Sequence, residues 1–347
     1  MAAQPRIGAA LRRPEADGRT ADPSLTEPTT TGTAASSASA PASVPTPTGP
    51  TPTGPTSTSP APTGSASTGP AESTAALVRA VNTHWTGPRA PEVRVLPRVL
   101  PSDRLPKGFE NPHLGLPIGI DEERMEPVFI DFDSDPFFVV FGESESGKTS
   151  LLRLLAQQIS QRYAPDEARI IVGDYRRTLL EAVPDSHLLE YAPAAPALEM
   201  HMDALSTLME HRAPGPEVTP RQLRERSWWS GPQFFVIIDD YELVATSAGN
   251  PLDFLTRGLP YARDVGVRLI IARNTAGASR SSYEPFMQRI KELGAQGIIL
   301  SGDPAEGDLL GNTRPRRLPQ GRGTLITRKG GTRLVQLGWL PGELGID

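Results

Sequence analysis

The sequence predicts an α/β fold, a three-layer sandwich with a mainly parallel central sheet. Three observations lead to it. Continuous apolar runs such as Phe234 to Ile238 and Leu269 to Ala272 suit strands covered on both faces. These runs alternate with segments of helical periodicity. A glycine-rich turn lies directly between a strand pattern, Phe137 to Phe141, and a helix pattern that begins at Gly147.

The elements follow in order. From Pro28 to Pro70 every residue except Val44 is Pro, Thr, Ser, Ala or Gly, and the pentapeptide at Thr46 to Pro50 repeats at Thr51 to Pro55. Such a tract has too little apolar surface to offset the entropy of ordering its backbone, so residues 1–72 are expected to form a disordered tail. Residues 73–116 are expected to form an amphipathic helix and an extended linker that pack on the core. Leu77, Val81 and Trp85 recur at helical spacing within Ser73 to Trp85, and Gly87-Pro88 ends the helix. A strand is expected at Glu92 to Leu96, then a connection punctuated by Pro97, Pro101 and Pro106.

The remaining residues, 117–347, carry the domain proper. Strands are expected at Ile118 to Ile120, Val128 to Phe132, Phe137 to Phe141, Ala168 to Val172, Phe234 to Ile238, Val267 to Ala272 and Gly297 to Leu300. Helices are expected at Gly147 to about Tyr163, Ala197 to His211, Pro251 to Val265 and Tyr283 to Leu293. Gly323 to Thr327 and Leu334 to Leu337 read as a hairpin turning at Gly330-Gly331.

Composition excludes several classes. The chain has no cysteine, which removes disulfides, thiolate metal sites and cysteine nucleophiles together. No apolar run approaches the length of a membrane span and the N-terminus lacks the apolar core of a signal peptide, so a soluble chain is expected, reaching a membrane only through partners. A net charge of −5 argues against a chain that coats nucleic acid. One basic stretch survives that average. Between Leu309 and Gly342 there is no Asp or Glu, while Arg314, Arg316, Arg317, Arg322, Arg328, Lys329 and Arg333 accumulate. A solvated hairpin face and a DNA-binding face are both compatible with it.

The chemistry is concentrated in Gly142, Glu143, Ser144, Glu145, Ser146, Gly147, Lys148 and Thr149, followed by Ser150. This spacing matches the Walker A pattern for ATP. The glycines permit a tight loop whose amides face inward, the helix N-terminus adds positive potential, and Lys148 is placed to reach the β- and γ-phosphates. Thr149 would set its hydroxyl on Mg2+. Glu143 and Glu145 are unhelpful charges beside a polyphosphate and are expected to point outward. The second half of the site is the run ending in Asp239 and Asp240. Asp239 is expected to hold the metal as the Walker B acid, with a helix-capping Asp as the plain alternative. Asp240 stands where hydrolytic relatives of this motif usually carry Glu to orient and deprotonate water. Being one methylene shorter, it favours binding over turnover.

These residues resemble the FtsK/SpoIIIE group of RecA-like ring ATPases, and more closely the C-terminal ATPase domain of EccC in type VII (ESX) secretion. The resemblance is carried by Pro117 to Phe132, Val139 to Arg153, Phe234 to Val244, Leu300 to Asn312 and Pro319 to Ile326, and spans about Ala75 to Leu340. It implies a RecA-like P-loop domain using ATP and Mg2+. It further implies other ATPase modules or subunits of a ring-forming secretion complex as partners, a small helical secretion substrate, and a cytoplasmic place, peripheral at the inner face of the cell membrane. The pattern departs from DNA-translocating relatives at Arg273-Asn274, where they carry Thr-Gln. This weakens a γ-phosphate sensor and leaves Asn274 as a hydrogen-bonding group near the nucleotide.

The reading favoured by these features is an ATP-binding secretion module with weak or no hydrolysis. A DNA-translocating ATPase and a non-enzymatic adaptor for a helical secretion substrate are the alternatives. Arg257, Arg263, Arg280, Arg289 and Arg322 are candidate donors to a neighbouring subunit's phosphates. Trp228-Trp229 is either a binding patch or loop aromatics folded on the sheet edge.

Overall fold

A computed structural model describes residues 70–87, 94–279 and 284–340. The tail expected over residues 1–72 lies outside the described residues except for its last three positions. The chain divides into two units, one containing helix α1, Pro70–His84, and the other the body from Val93 onward. Helix α1 matches the expected amphipathic segment and extends it by a few residues at its start.

The body contains strands β1 (Leu100–Pro101), β2 (Leu116–Asp121), β3 (Pro127–Ile130) and β4 (Phe137–Phe141), then helix α2 (Lys148–Arg162). Strand β5 (Ala168–Gly173), strand β6 (Leu188–Ala192), helix α3 (Ala195–Arg212) and helix α4 (Pro220–Glu225) follow. Next come strand β7 (Gln233–Ile238), the short helix α5 (Tyr241–Val244) and strand β8 (Val267–Arg273). Helix α6 (Pro285–Glu292) precedes strands β9 (Gln296–Ile299), β10 (Arg322–Thr327) and β11 (Gly331–Trp339). All strands join one sheet in the order β3-β2-β11-β10-β9-β4-β8-β7-β5-β6, with β1 added on β11.

The sheet has two characters. Strands β9, β4, β8, β7, β5 and β6 run parallel, while β10, β11, β2 and β3 continue it antiparallel. The expected three-layer sandwich is seen in the side chains. On one face Val139, Phe141, Val236, Ile238, Leu269 and Ile271 pack with Leu198, Met202, Leu205 and Met209 of α3. On the other, Phe138, Val140, Phe235, Ile237 and Ile270 pack with Leu151, Leu152, Leu155 and Ile159 of α2. Successive strand residues point to opposite faces, so the middle of a strand buried on both sides is apolar at every position. Each such side chain contributes about 1.5–3 kcal/mol of burial.

Two expected elements differ. Arg94 to Leu96 form no strand. The carbonyls of Leu96 and Pro97 instead accept from the Arg322 guanidinium at 3.0 and 2.9 Å, which replaces ladder pairing, and Glu92 and Val93 lie outside the described residues. The helix expected over Pro251 to Val265 is broken into two 3-10 turns, Pro251–Leu255 and Leu259–Tyr261. Gly258 and Pro260 interrupt it, and Pro260 removes one amide that an α-helix needs. Leu100 and Leu105 cluster with Leu154 of α2, and β1 pairs parallel with β11.

Trp228 and Trp229 are folded loop aromatics. The Trp228 indole N–H donates to the Arg212 carbonyl at 2.7 Å and that of Trp229 to Asp264 O at 2.8 Å. The Arg212 guanidinium lies 4.0 Å from the Trp229 ring centroid and donates to the carbonyls of Val265 and Pro232 at 3.0 Å each. Arg212 is 3% exposed, and burial depresses its pKa to about 10. Arg212→Ala should therefore cost about 2–4 kcal/mol in urea unfolding, because buried carbonyls lose their donor and the ring its cover. A loss below about 0.5 kcal/mol, the range of ordinary surface changes, would contradict this role.

Candidate active site

The loop between β4 and α2 lies at the carboxyl ends of the parallel strands, with β8 between the loop strand β4 and the acidic strand β7. Gly142 is required by space: an added Cβ would meet the Ser146 hydroxyl at 2.3 Å. Gly147 is required by backbone, with φ 106° at the N-cap of α2. The amide of Gly142 donates to Arg273 O and that of Glu143 to Ser301 O, which pin the start of the loop to β8 and to the residue after Leu300. Among the described residues no protein acceptor meets the amides of Gly147, Lys148 and Thr149. These N–H groups at the foot of a fifteen-residue helix form an anion-seeking cradle.

Lys148 is buried and its ammonium donates to the Glu143 carbonyl at 3.1 Å, folded back across the loop. The Thr149 hydroxyl donates to Asp239 Oδ2 at 2.8 Å. Asp239 is 1% exposed at the end of β7, and burial raises its pKa despite the hydroxyls that favour the carboxylate. Asp240 follows in a left-handed conformation, φ 46°, which turns its carboxylate out of the strand line. Its pKa is raised by burial first and by Glu242 second, while Arg176 and Lys148 oppose that rise. A hydroxyl and a buried carboxylate in direct contact form a hard oxygen pair suited to Mg2+.

The expected outward turn of Glu143 is corrected. Glu145 and Ser144 are exposed, but the Glu143 carboxylate turns in to accept the Ser301 hydroxyl at 2.5 Å, a charge-assisted bond that leaves no reason to face solvent. Ser150 lies half-buried in the first turn of α2. Asn274 is near the loop by backbone, since Thr275 N donates to Gly142 O at 3.3 Å, yet its side-chain oxygen is engaged locally by Ala276 N at 2.9 Å. The Arg273 side chain is buried and borders a polar cavity with Tyr241, Asn250 and Glu284.

Of the arginine candidates, Arg322 is committed to Leu96, Pro97 and the Gln336 side chain. Arg263 pairs with Asp264 and Arg289 with Glu292, Arg257 is exposed, and Arg280 lies outside the described residues.

Sequence reasoning missed the segment after β5. Thr178 donates to the same Asp239 oxygen as Thr149, at 3.0 Å, and Arg176 holds Asp240 Oδ2 at 3.1 Å. Asp174 organises this segment by accepting from Leu179 N at 2.6 Å and Tyr191 OH at 2.7 Å. Nothing in the local pattern around Arg176 and Thr178 announces a site. The turn at Gly321 was also missed: its amide donates to Ser146 O at 3.0 Å, tying the phosphate loop to the hairpin β10–β11.

No family model matches the chain. The ESX secretion system protein EccC of Thermomonospora curvata is 49% identical over 265 residues, 76% of this chain and 20% of the relative. The cytoplasmic domain of that secretion ATPase superposes with a TM-score of 0.70 at 48% identity, over 76% of this chain and 31% of that one. The described body resembles the EccC ATPase domains in sequence and in fold. A structure of ATPases 2 and 3 of Thermomonospora curvata EccC with a signal sequence peptide gives a TM-score of 0.69 at 48% identity, covering 76% of this chain and 47% of that one. The chain thus spans about a fifth of the full-length EccC it matches. Among the described residues no helix is long and apolar enough to cross a membrane.

The Gly321 contact gives this EccC-like domain a test independent of ligands. Gly321 has φ 68°, and an added Cβ would lie 2.6 Å from the indole nitrogen of Trp339. Gly331 has φ 65° and open space around the same position. Gly321→Ala should cost about 1–3 kcal/mol by chemical denaturation and more than Gly331→Ala, which bears the backbone strain alone. Equal losses would show that the clash with Trp339 is relieved without cost.

Proposed function

We propose that this domain binds Mg-ATP as part of a type VII secretion assembly, with hydrolysis slow or absent. The observation that carries the reading is the 2.8 Å hydrogen bond from Thr149 to Asp239, which brings the first turn of α2 and the end of β7 to one point. Gly142 to Ser150 supply the cradle, Lys148 is the cation for the β- and γ-phosphates, and Thr149 with Asp239 would hold Mg2+. When bound, the metal neutralises charge developing on the phosphate oxygens. In turnover, water attacks the γ-phosphorus, its proton passes to the Asp240 carboxylate, and the bond to the bridging oxygen breaks to release ADP and phosphate. Asp240 is short for that task and already shared with Arg176, which supports slow chemistry. Asn274, with its carboxamide oxygen engaged by Ala276, is a backbone neighbour of the site and a weak sensor.

The same reading places the domain on the cytoplasmic side, with other ATPase modules or subunits as neighbours. The relative of known structure in complex with a signal sequence peptide supports a peptide segment of a secretion substrate as ligand. A groove of about 460 Å³ lined by Ala295, Leu309, Leu310 and Ile326 together with the exposed Arg328 suits an amphipathic segment. DNA translocation is disfavoured by the basic stretch itself. Arg314 pairs with Asp308 and Arg317 with Asp303, while Arg328 and Arg333 lie within 4 Å of Asp135 and Asp121, so its charges are partly neutralised by tertiary partners.

Thermal unfolding of the full chain tests the binding. At about a hundredfold excess over Kd, Mg-ATP should stabilise the wild type by ~2.7 kcal/mol and leave Lys148→Ala unmoved. Phosphate release should stay below roughly 1 s⁻¹, the lower end of ordinary enzyme turnover. Faster release that Asp240→Asn abolishes would overturn the slow-hydrolysis part. Stimulation by duplex DNA with steep salt dependence would favour the translocase instead.

A further inference from the structure

The segment from Asp174 to Leu179 sits against Asp239 and Asp240. Asp174 accepts the amides of Arg176 at 3.2 Å and Leu179 at 2.6 Å, and the Arg153 guanidinium of α2 donates to Thr178 O. The segment is therefore fixed at several points, and its geometry is set by the fold. Arg176 extends from it to Asp240 Oδ2 at 3.1 Å, with the Arg side chain 60% and the Asp side chain 15% exposed. Asp240 is itself held by an unusual backbone, φ 46° and ψ 56°, at the N-cap of α5, where its side chain caps nothing. A non-glycine residue in that region is uncommon and carries a backbone cost. Here the turn directs the carboxylate to the guanidinium.

A carboxylate oxygen engaged by a guanidinium at this distance is withdrawn from orienting water. We infer that Arg176 restrains hydrolysis by holding Asp240 in this ion pair, acting as a positioning residue on the water-orienting acid. The inference rests on the reading of Asp240 given above.

The test uses the full chain at saturating Mg-ATP, with kcat and KM from phosphate release. An ion pair of this exposure is worth at most about 1 kcal/mol, which corresponds to ~2- to 5-fold in rate. Arg176→Ala should raise kcat by that factor with KM within about twofold of wild type, and Arg176→Lys should restore the low value. In an Asp240→Asn background, Arg176→Ala should no longer raise kcat, as a shared pathway requires. A kcat in Arg176→Ala equal to or below that of wild type overturns the proposal. So does a gain that persists without Asp240. Calorimetric binding of Mg-ATP, measured alongside, separates the two readings: loss of binding in the parent chain removes the nucleotide site itself, whereas intact binding with unchanged kcat removes only the role of Arg176.

Discussion

One hydrogen bond between Thr149 and Asp239 joins two parts of the chain that sequence keeps 90 residues apart. It exists because α2 starts where β4 ends and because β7 ends at the same level, one strand removed across the sheet. Parallel pairing of β4 and β7 with β8 sets that level, and close-packed side chains of differing size on both faces resist a slip of one strand against the next. The chemistry of the loop is therefore a consequence of the register of the core. The residues that hold β4 and β7 in place, Phe138, Val140, Phe235 and Ile237, matter to the site although none of them carries a polar group.

Much of this was legible beforehand, and the physical reason is locality. Fully buried strands announce themselves by composition, and β4, β7 and β8 were placed to within a residue. The loop from Gly142 to Thr149 is legible because the glycines, lysine and threonine of such a motif are adjacent in sequence. Strand β6 escaped notice because it is an edge strand with only Ala192 fully buried, so its residues show no apolar run. The segment from Pro251 looked helical by periodicity, and its two 3-10 turns bury the same Leu252, Leu255 and Leu259 that a continuous helix would have buried. Periodicity reports which face is covered; Gly258 and Pro260 decide how the backbone gets there.

The partners of the site were illegible because they are distant in sequence and chemically ordinary. Thr178 reaches Asp239 across 61 residues, and Arg176 meets Asp240 from a connecting segment with no motif. The basic stretch shows the converse. As a string it reads as a field of positive charge, yet Asp121 and Asp135 come from distant segments to meet it, and Asp303 and Asp308 fold back from just before it. Net charge along a chain and net charge on a surface are different quantities, and only the fold converts one into the other.

The amide of Gly321 on the carbonyl of Ser146 sets an order of events during synthesis. The phosphate loop leaves the ribosome long before the hairpin β10–β11 that buttresses it, and β1 and β2 must likewise wait for β11 to pair. A nascent chain carries the loop as a local turn without its far wall, and only emergence of the last strand closes it. Contacts of such long span make folding slow and leave sheet edges open in the interim. The loop is thus completed only once β11 has formed, and a chain cut short before Trp339 would display the motif intact while lacking the frame that shapes it.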